Sequence, residues 1–318
     1  MDKRELTTQV NTINKVVKKR KKRMSGIEGK REIYGWIFAL PWIIGLIVFY
    51  LYPMVSSAIF SFSEFKGFFP EKFNGLANYK DVISDPVFAI AVRNTLFYTF
   101  LAVPIGLIIG IVLASLLNAK VKGKSVYRVL VFIPTLMPAV TTGIIWQWLL
   151  NSQYGVVNNL LLKIGINGPP WFASEIWSKP SLVIIAEWTI GTTVLTYLAG
   201  LQDIPTQYYE AAKLDGANLF HQFKNITLPL LSPVIFFNIV MGIIGGMQQF
   251  TLPFVITNGS GTPANSMMFY GMLLYKDAFA YFKMGRANAM AWMMFVVVMA
   301  LTAVITHTSK KWVYYMGD

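Results

Sequence analysis

Residues 210–229 read EAAKLDGANLFHQFKNITLP, a polar segment between two long apolar runs. Just before it, Pro205 and Thr206 are typical of a helix start. The residues from Gln207 to Leu214 are mostly good helix formers. This part of the chain therefore predicts a short helix outside the apolar runs.

A turn and a second short helix should follow. Gly216 can adopt the positive φ that ends a helix, and Asn218 can cap the next one. Pro229 in the first turn of the next apolar run lacks only an N–H that would be unpaired anyway. The segment therefore predicts a helix–turn–helix elbow that leads straight into an apolar helix.

The composition places this elbow in a membrane protein. Hydrophobic residues make up 55% of the 318-residue chain, charged residues 14%, and the mean hydropathy is +0.51. Runs without an alternating period favour helices over a β-barrel. We predict an all-α membrane protein, because six runs can cross about 30 Å of hydrocarbon as helices. They are Tyr34–Tyr52, Thr95–Leu117, Val129–Leu150, Ser181–Gln202, Leu230–Ile256 and Ala287–Thr308.

The charges predict the orientation. Of the 28 Lys and Arg, 11 precede the first apolar run, and others cluster in the second loop, in the elbow and after the last run. The positive-inside rule then places both termini and the elbow in the cytoplasm. Residues 1–33 form a basic cytoplasmic segment, residues 34–308 a six-helix domain with a cytoplasmic loop at 203–229, and residues 309–318 a short cytoplasmic tail. The basic run before a membrane anchor favours contact with anionic lipid rather than nucleic acid.

The elbow also carries a motif. Glu-Ala-Ala at 210–212, Gly216 and Ile226-x-Leu228-Pro229 stand at the spacing of the signature loop in permease subunits of binding-protein-dependent ABC importers. From Pro41 to Trp312 the chain resembles the carbohydrate branch of that family, which handles maltose, multiple sugars or glycerol 3-phosphate. Other matching segments are Pro41-Trp42, Gly75–Tyr79, Asn94-Thr95, Trp146, Tyr197–Gln202 and Thr257–Gly259.

The resemblance implies a fold and a set of partners. It implies a type I ABC importer permease with a coupling helix in a bacterial plasma membrane. The expected partners are a second homologous permease subunit, two copies of an ABC ATPase and an extracellular solute-binding protein. ATP and Mg²⁺ would bind to the ATPase, and no cofactor is expected in this chain. The residues implied to contact the ATPase are Glu210, Ala211, Ala212, Leu214, Asp215, Gly216, Ile226, Leu228 and Pro229.

One acid lies inside a predicted span. An ionisable residue at this depth is costly in hydrocarbon, so Glu187 is a candidate for the substrate path. Alternatively, Glu187 faces water near the outer end of the span or pairs with Lys179. The family pattern has a bulky apolar residue near this position, so Glu187 is a departure that leaves the substrate undetermined.

The fifth run carries a stripe of small and polar residues at helical spacing. Such a stripe indicates either tight helix packing or a cavity wall whose amides meet sugar hydroxyls. Its members are Asn238, Gly242, Gly245, Gln249 and Pro253, with Gln248 at its border.

Tryptophan and proline add two further expectations. Trp146 and Trp188 are candidates for stacking on a sugar ring, although tryptophans also form belts at membrane interfaces. Pro134 and Pro138 predict a kink in the third run. The polar outer segments at about 53–93, 151–180 and 258–279 predict short interfacial helices.

Three functions remain to be compared. The leading one is a permease subunit that moves a carbohydrate, expected to be an oligosaccharide, into the cell by alternating access, with glycerol phosphate or another polar solute as the alternative cargo. A secondary transporter, with Glu187 carrying a coupling proton, would show several intramembrane acids. A membrane enzyme would show a catalytic constellation, and none is evident. The two histidines lie in different segments, and the chain has no cysteine.

Overall fold

The computed structural model describes residues 34–66, 69–119 and 122–314. The chain divides into two compact units, residues 1–59 and 60–318. The first unit contains most of helix α1 (Tyr34–Ser61). The 18 residues by which this helix qualifies as a membrane span have a mean hydropathy of 2.1, and none of them is buried. The predicted first span is therefore helical and extends beyond Tyr52. The predicted basic segment 1–33 and residues 315–318 of the predicted tail lie outside the described residues.

The second unit is a helical bundle with one small hairpin. Its strands are β1 (Ser63–Lys66) and β2 (Phe69–Phe73). Its helices are α2 (Ala77–Ser84), α3 (Pro86–Asn118), α4 (Lys124–Phe132), α5 (Ala139–Leu149), α6 (Val156–Lys163), α7 (Ser178–Trp188), α8 (Gly191–Gln202), α9 (Thr206–Leu214), α10 (Leu219–Gln222), α11 (Leu228–Leu230), α12 (Ser232–Met247), α13 (Thr251–Thr257), α14 (Tyr270–Tyr275) and α15 (Met284–Ser309).

Helix α3 is the centre of this unit and packs against α7, α8, α12 and α14. Glycines at these helix contacts allow the helices to pack closely. A side chain at Gly110 would lie 3.0 Å from the ring of Tyr197, and one at Gly242 would lie 3.2 Å from Val103. Small residues at helix contacts are the usual way in which helices pack closely in lipid. At Gly242 both interpretations of the small-residue stripe hold, because this glycine lies close to Val103 and also lines a cavity.

The described helices account for four to six membrane spans. Helices α1, α3, α12 with α13, and α15 are long and apolar enough to cross a membrane. Two further spans are possible if each of two bent pairs counts as one: α4 with α5, bent by 100°, and α7 with α8, bent by 49°. The kink predicted at Pro134 and Pro138 is confirmed, because the sharper bend lies there. Proline lacks the N–H that would continue the helix.

Several predicted boundaries were wrong. Helix α3 begins at Pro86 rather than Thr95, because Asp85 caps it by accepting a 2.8 Å hydrogen bond from the Val87 N–H. The predicted fifth span, by contrast, is confirmed as Ser232–Thr257, although its helix is interrupted between Met247 and Thr251. The predicted sixth span is confirmed within α15.

The outer segments form short helices, as predicted, at α2, α6 and α14. The hairpin was not predicted. Its strands pair antiparallel, with Glu64 opposite Lys72 and Ser63 opposite Phe73. Cross-strand pairs of opposite charge and exposed aromatic residues favour strands, and this signal was overlooked.

The stretch that begins at Met267 is buried rather than interfacial. Met267 and Phe269 are both 0% exposed. The Asn94 side-chain amide holds this stretch by donating to the carbonyls of Asn265 (2.8 Å) and Met268 (3.0 Å). A polar side chain inside α3 therefore fixes an outer segment within the bundle, which no local sequence pattern indicates.

Candidate functional site

The elbow between α8 and α12 has the predicted geometry. Helix α9 ends at Leu214; Gly216 follows with a φ of +78°, and its N–H donates to the Lys213 carbonyl at 3.1 Å. The Ala217 N–H closes the turn on the Ala212 carbonyl at 2.8 Å. The Asn218 side-chain oxygen then caps α10 by accepting the His221 N–H at 2.9 Å. The local sequence thus specifies both helix ends.

Side chains brace the elbow from within. The hydroxyl of Tyr209 lies 2.9 Å from that of Thr227, which joins the incoming and outgoing arms across 18 residues. The Gln222 amide donates to the Ala217 carbonyl at 2.8 Å, and both Gln222 and Thr227 are buried. These bonds make the elbow a single folded piece. The motif did not point to these bracing residues.

The tip of the elbow exposes apolar side chains. Leu214 is 90% exposed, Leu219 81% and Phe220 68%. Around them Glu210, Ala211, Asp215 and Gly216 are also exposed, whereas Ala212 and Pro229 are half-buried.

Ile226 and Leu228, the apolar residues in the second half of the motif, differ in how far they are buried. Ile226 packs against the inner core cluster that contains Tyr197 and Leu231. Leu228 is 38% exposed. The predicted set is thus one continuous segment in which Ile226 anchors the elbow while the first half forms its tip.

A cavity of about 230 Å³ lies further along the bundle, between α3, the α7–α8 bend and α12. Its lining includes Tyr98, Gly106, Glu187, Thr193 and Asn238. The bend creates the space because the chain leaves helical geometry between Trp188 and Gly191. Broken helices at membrane depth are tolerated where they line a cavity.

Glu187 is the second-last residue of α7, directly before this bend. A side chain at Gly106 would lie 3.1 Å and 3.3 Å from its two carboxylate oxygens, so this glycine gives the carboxylate its room. The Glu187 Oε2 atom is buried and has no hydrogen-bond partner. The Lys179 ammonium instead donates to the carbonyls of Glu175 (3.3 Å) and Ser266 (3.4 Å). The alternative of a Glu187–Lys179 pair is therefore wrong.

The other predicted path residues divide into two groups. Asn238, Gly242 and Gly245 line the cavity with Glu187. The Asn238 amide nitrogen already donates to the Val234 carbonyl at 2.8 Å.

The remaining candidates lie elsewhere. Gln249 donates to the Tyr98 hydroxyl at 3.1 Å, and Gln248 is exposed at the end of α12. Trp146 and Trp188 contact each other edge to face, with ring centroids 5.6 Å apart, and neither is among the lining residues. Tyr98 was missed, because its position relative to the cavity depends on the packing of α3.

A second polar cluster was also missed. The Arg286 guanidinium, at the start of α15, is 7% exposed and binds Asp277 (2.7 Å), Asp81 (3.0 Å) and Asp85. Burial raises the pKa of Asp277 despite this contact. Burial alone would also raise the pKa of Asp85, but the Val87 N–H and Arg286 outweigh it, so that pKa is lowered.

This ionic cluster ties α2, the start of α3 and the segment after α14 to the start of α15. Within the described ranges, no group of three or more His, Cys, Asp or Glu side chains is arranged to hold a metal ion. The cluster therefore has a structural explanation, since each of its carboxylates contacts the guanidinium.

Comparison with known proteins places this geometry in a family. Residues 106–312 match the family model described as "binding-protein-dependent transport system inner membrane component". The chain is 36% identical to the probable ABC transporter permease protein YesP of Bacillus subtilis, over 90% of this chain and 93% of that protein. It is 34% identical to the lactose transport system permease protein LacF of Rhizobium radiobacter, over 81% and 87%.

A solved structure shows the same fold. A chain of a bacterial alginate ABC transporter, in complex with a periplasmic protein bound to alginate pentasaccharide, superposes with a TM-score of 0.77 at 23% identity. The match covers 89% of this chain and 96% of that one. The chain belongs to the family of inner membrane components of binding-protein-dependent transport systems.

Proposed function

We propose that this chain is one permease subunit of an ATP-driven importer that carries a carbohydrate into a bacterial cell by alternating access. The sugar assignment is supported by relatives such as the lactose permease protein, 34% identical over most of both chains. The proposed partners are a second homologous permease subunit, two copies of an ABC ATPase and an external solute-binding protein. ATP and Mg²⁺ would bind to the ATPase and supply the driving force.

The observation that carries this proposal is the exposed apolar tip on a braced elbow. Leu214, Leu219 and Phe220 would be covered in a groove of the ATPase. Burial of apolar surface is favourable, and a few well-buried side chains commonly carry most of the affinity of a protein–protein contact. Glu210 and Asp215 beside them offer charges to a basic rim. Ala211 is small enough for a groove to approach the backbone.

The elbow is also placed to transmit movement. It is the direct connection between α8 and α12, and both helices contribute to the cavity through Thr193 and Asn238. Because the elbow is bonded internally by Tyr209 and Thr227, displacement of its tip would move both helices. Closing of the ATPases would then change the shape of the cavity wall.

The orientation belongs to the same proposal. Eleven Lys and Arg precede α1, which supports cytoplasmic placement of the N-terminus. We place both termini and the 203–229 loop on the cytoplasmic side, next to the ATPase. The outer segments, with α2, α6 and α14, would face the solute-binding protein.

The test is a charge placed on the tip. Leu214→Asp, in the complex co-expressed with its partner subunits, should weaken ATPase binding roughly 30-fold, as expected for loss of a contact worth about 2 kcal/mol. Retention of the ATPase during purification of the tagged chain is the measurement. The matched control is Leu162→Asp in α6, an apolar side chain that is 62% exposed and remote in sequence from the elbow. Equal retention in both variants would contradict the proposal.

A further inference from the structure

Glu187 is the one side chain with a formal charge among the described residues that line the cavity. The rest of the lining is glycine, apolar side chains, the hydroxyls of Tyr98, Thr189 and Thr193, and the Asn238 amide. The buried Oε2 atom of Glu187 has no hydrogen-bond partner. The cavity therefore presents a hydrogen-bond acceptor that this chain does not satisfy.

An unsatisfied carboxylate needs a physical reason to persist. Taking a carboxylate out of water costs several kcal/mol unless it is paired and hydrogen-bonded. The nearby cation on the same helix, Lys179, binds backbone carbonyls instead. The buried Arg286, by contrast, is matched by three carboxylates, one of them the buried Asp277. Glu187 thus differs from its counterpart in this unit by lacking a partner within it.

The space around Glu187 suits a small polar group. Gly106 lines the cavity directly beside the carboxylate, and a side chain at Gly245, which also lines it, would meet no atom within 4 Å. The cavity volume of about 230 Å³ is below the roughly 300–1,000 Å³ of complete ligand pockets. This chain therefore supplies one wall of a site, large enough for part of an oligosaccharide rather than for the whole of it.

We propose that Glu187 accepts hydrogen bonds from hydroxyl or ammonium groups of the sugar unit that occupies this cavity, and that it disfavours a unit carrying a carboxylate, sulfonate or phosphate. This inference rests on the proposed function and names the substrate chemistry of its path. Hydrogen bonds to an ionised acceptor are stronger than neutral ones. Two like charges close together in a low-dielectric site repel strongly, which gives selection against anions.

The experiment measures sugar binding to the complex of permease and ATPase subunits without the solute-binding protein. Any preference among sugars then comes from the membrane subunits. The complex in lipid nanodiscs is dialysed against three radiolabelled probes: neutral lactose, cationic chitosan disaccharide and anionic digalacturonate. The wild type should bind digalacturonate most weakly. Glu187→Gln should raise the affinity for digalacturonate relative to lactose by about tenfold, and Glu187→Asp should keep the order of the wild type.

The matched control is Glu175→Gln, the same exchange at an exposed acid just before α7, which should behave as the wild type. If lactose binds and Glu187→Gln leaves the order of the probes unchanged, the inference is overturned while the proposed function stands. If the wild-type complex binds none of the probes, the carbohydrate assignment fails as well. Loss of the second permease subunit in Glu187→Gln but not in Glu187→Asp would show that the carboxylate pairs with that subunit, which also overturns the inference.

Discussion

The elbow tip and the Glu187 cavity have opposite mismatches with their surroundings. At the tip, Leu214 and Leu219 are 90% and 81% exposed in a polar segment. In the cavity, a carboxylate oxygen is buried without a partner in an apolar bundle. An exposed apolar surface and a buried unpaired charge are both costly in an isolated chain.

The two mismatches indicate where the isolated chain lacks a binding partner. The apolar tip would be covered by a macromolecule, whereas the cavity has room only for a small polar group. The two regions are joined through α8 and α12, which connect to the elbow and contribute side chains to the cavity. The proposed function requires such a connection, because it assigns the elbow to the ATPase and the cavity to the solute.

The largest expected effect tests whether the tip depends on its backbone. In Gly216→Ala the new methyl group meets no atom within 4 Å, so only the φ of +78° opposes it. A left-handed conformation costs an ordinary residue about 1–2 kcal/mol. Amide hydrogen exchange at 215–218 should therefore become roughly 5- to 30-fold faster, with weaker retention of the ATPase.

The control for this change is Gly45→Ala in α1. This position is also open, and its backbone is helical, so alanine should stabilise the helix by roughly 0.5–1 kcal/mol. Unchanged exchange in the Gly216→Ala elbow would show that the tip does not rely on the turn geometry.

A smaller effect compares an unpaired carboxylate with a paired one. Glu187→Gln should leave thermal stability in detergent unchanged or raise it, because it removes a half-buried charge whose buried oxygen has no partner. Asp85→Asn should lower stability at pH 7 by about 1 kcal/mol, because asparagine keeps the helix cap but loses the charge that faces Arg286.

The pH dependence tests independently whether the Asp85 carboxylate stabilises the folded chain. The pKa of Asp85 is lowered in the folded chain, so its contribution to stability is present above the unfolded pKa and is lost as the pH falls through the folded one. The stability difference between wild type and Asp85→Asn should therefore shrink in acid. A loss of stability of the same size in Glu187→Gln would mean that its carboxylate does have a partner.

The sequence allowed the tip to be predicted in detail. Its helix ends depend on Gly216 and Asn218, and both act through bonds to residues within a few positions. The apolar runs and the bend at Pro134 and Pro138 could likewise be predicted, because the length of an apolar run and the effect of proline on a helix depend only on local sequence. The family motif placed the elbow between the correct runs.

The cavity could be predicted only in part. Glu187 was conspicuous as an acid in an apolar run, but its contact with Gly106 and its lack of a partner depend on how α3 packs against the α7–α8 bend. Gln249 was assigned to the path on helical spacing, and the break after Met247 invalidated that spacing. The Arg286 cluster joins residues about 200 positions apart, which no local pattern reveals.

The most direct measurement of the central claim uses the absence of cysteine from the chain. Leu214→Cys and Leu162→Cys each supply one thiol, in the tip and in α6, within the complete complex. A membrane-impermeant maleimide added to intact cells should label the α6 position and spare the tip. In inside-out vesicles the tip should be labelled after the ATPase is stripped and protected when it is restored. Labelling of the tip from outside intact cells, or at one rate with and without the ATPase, would contradict the account.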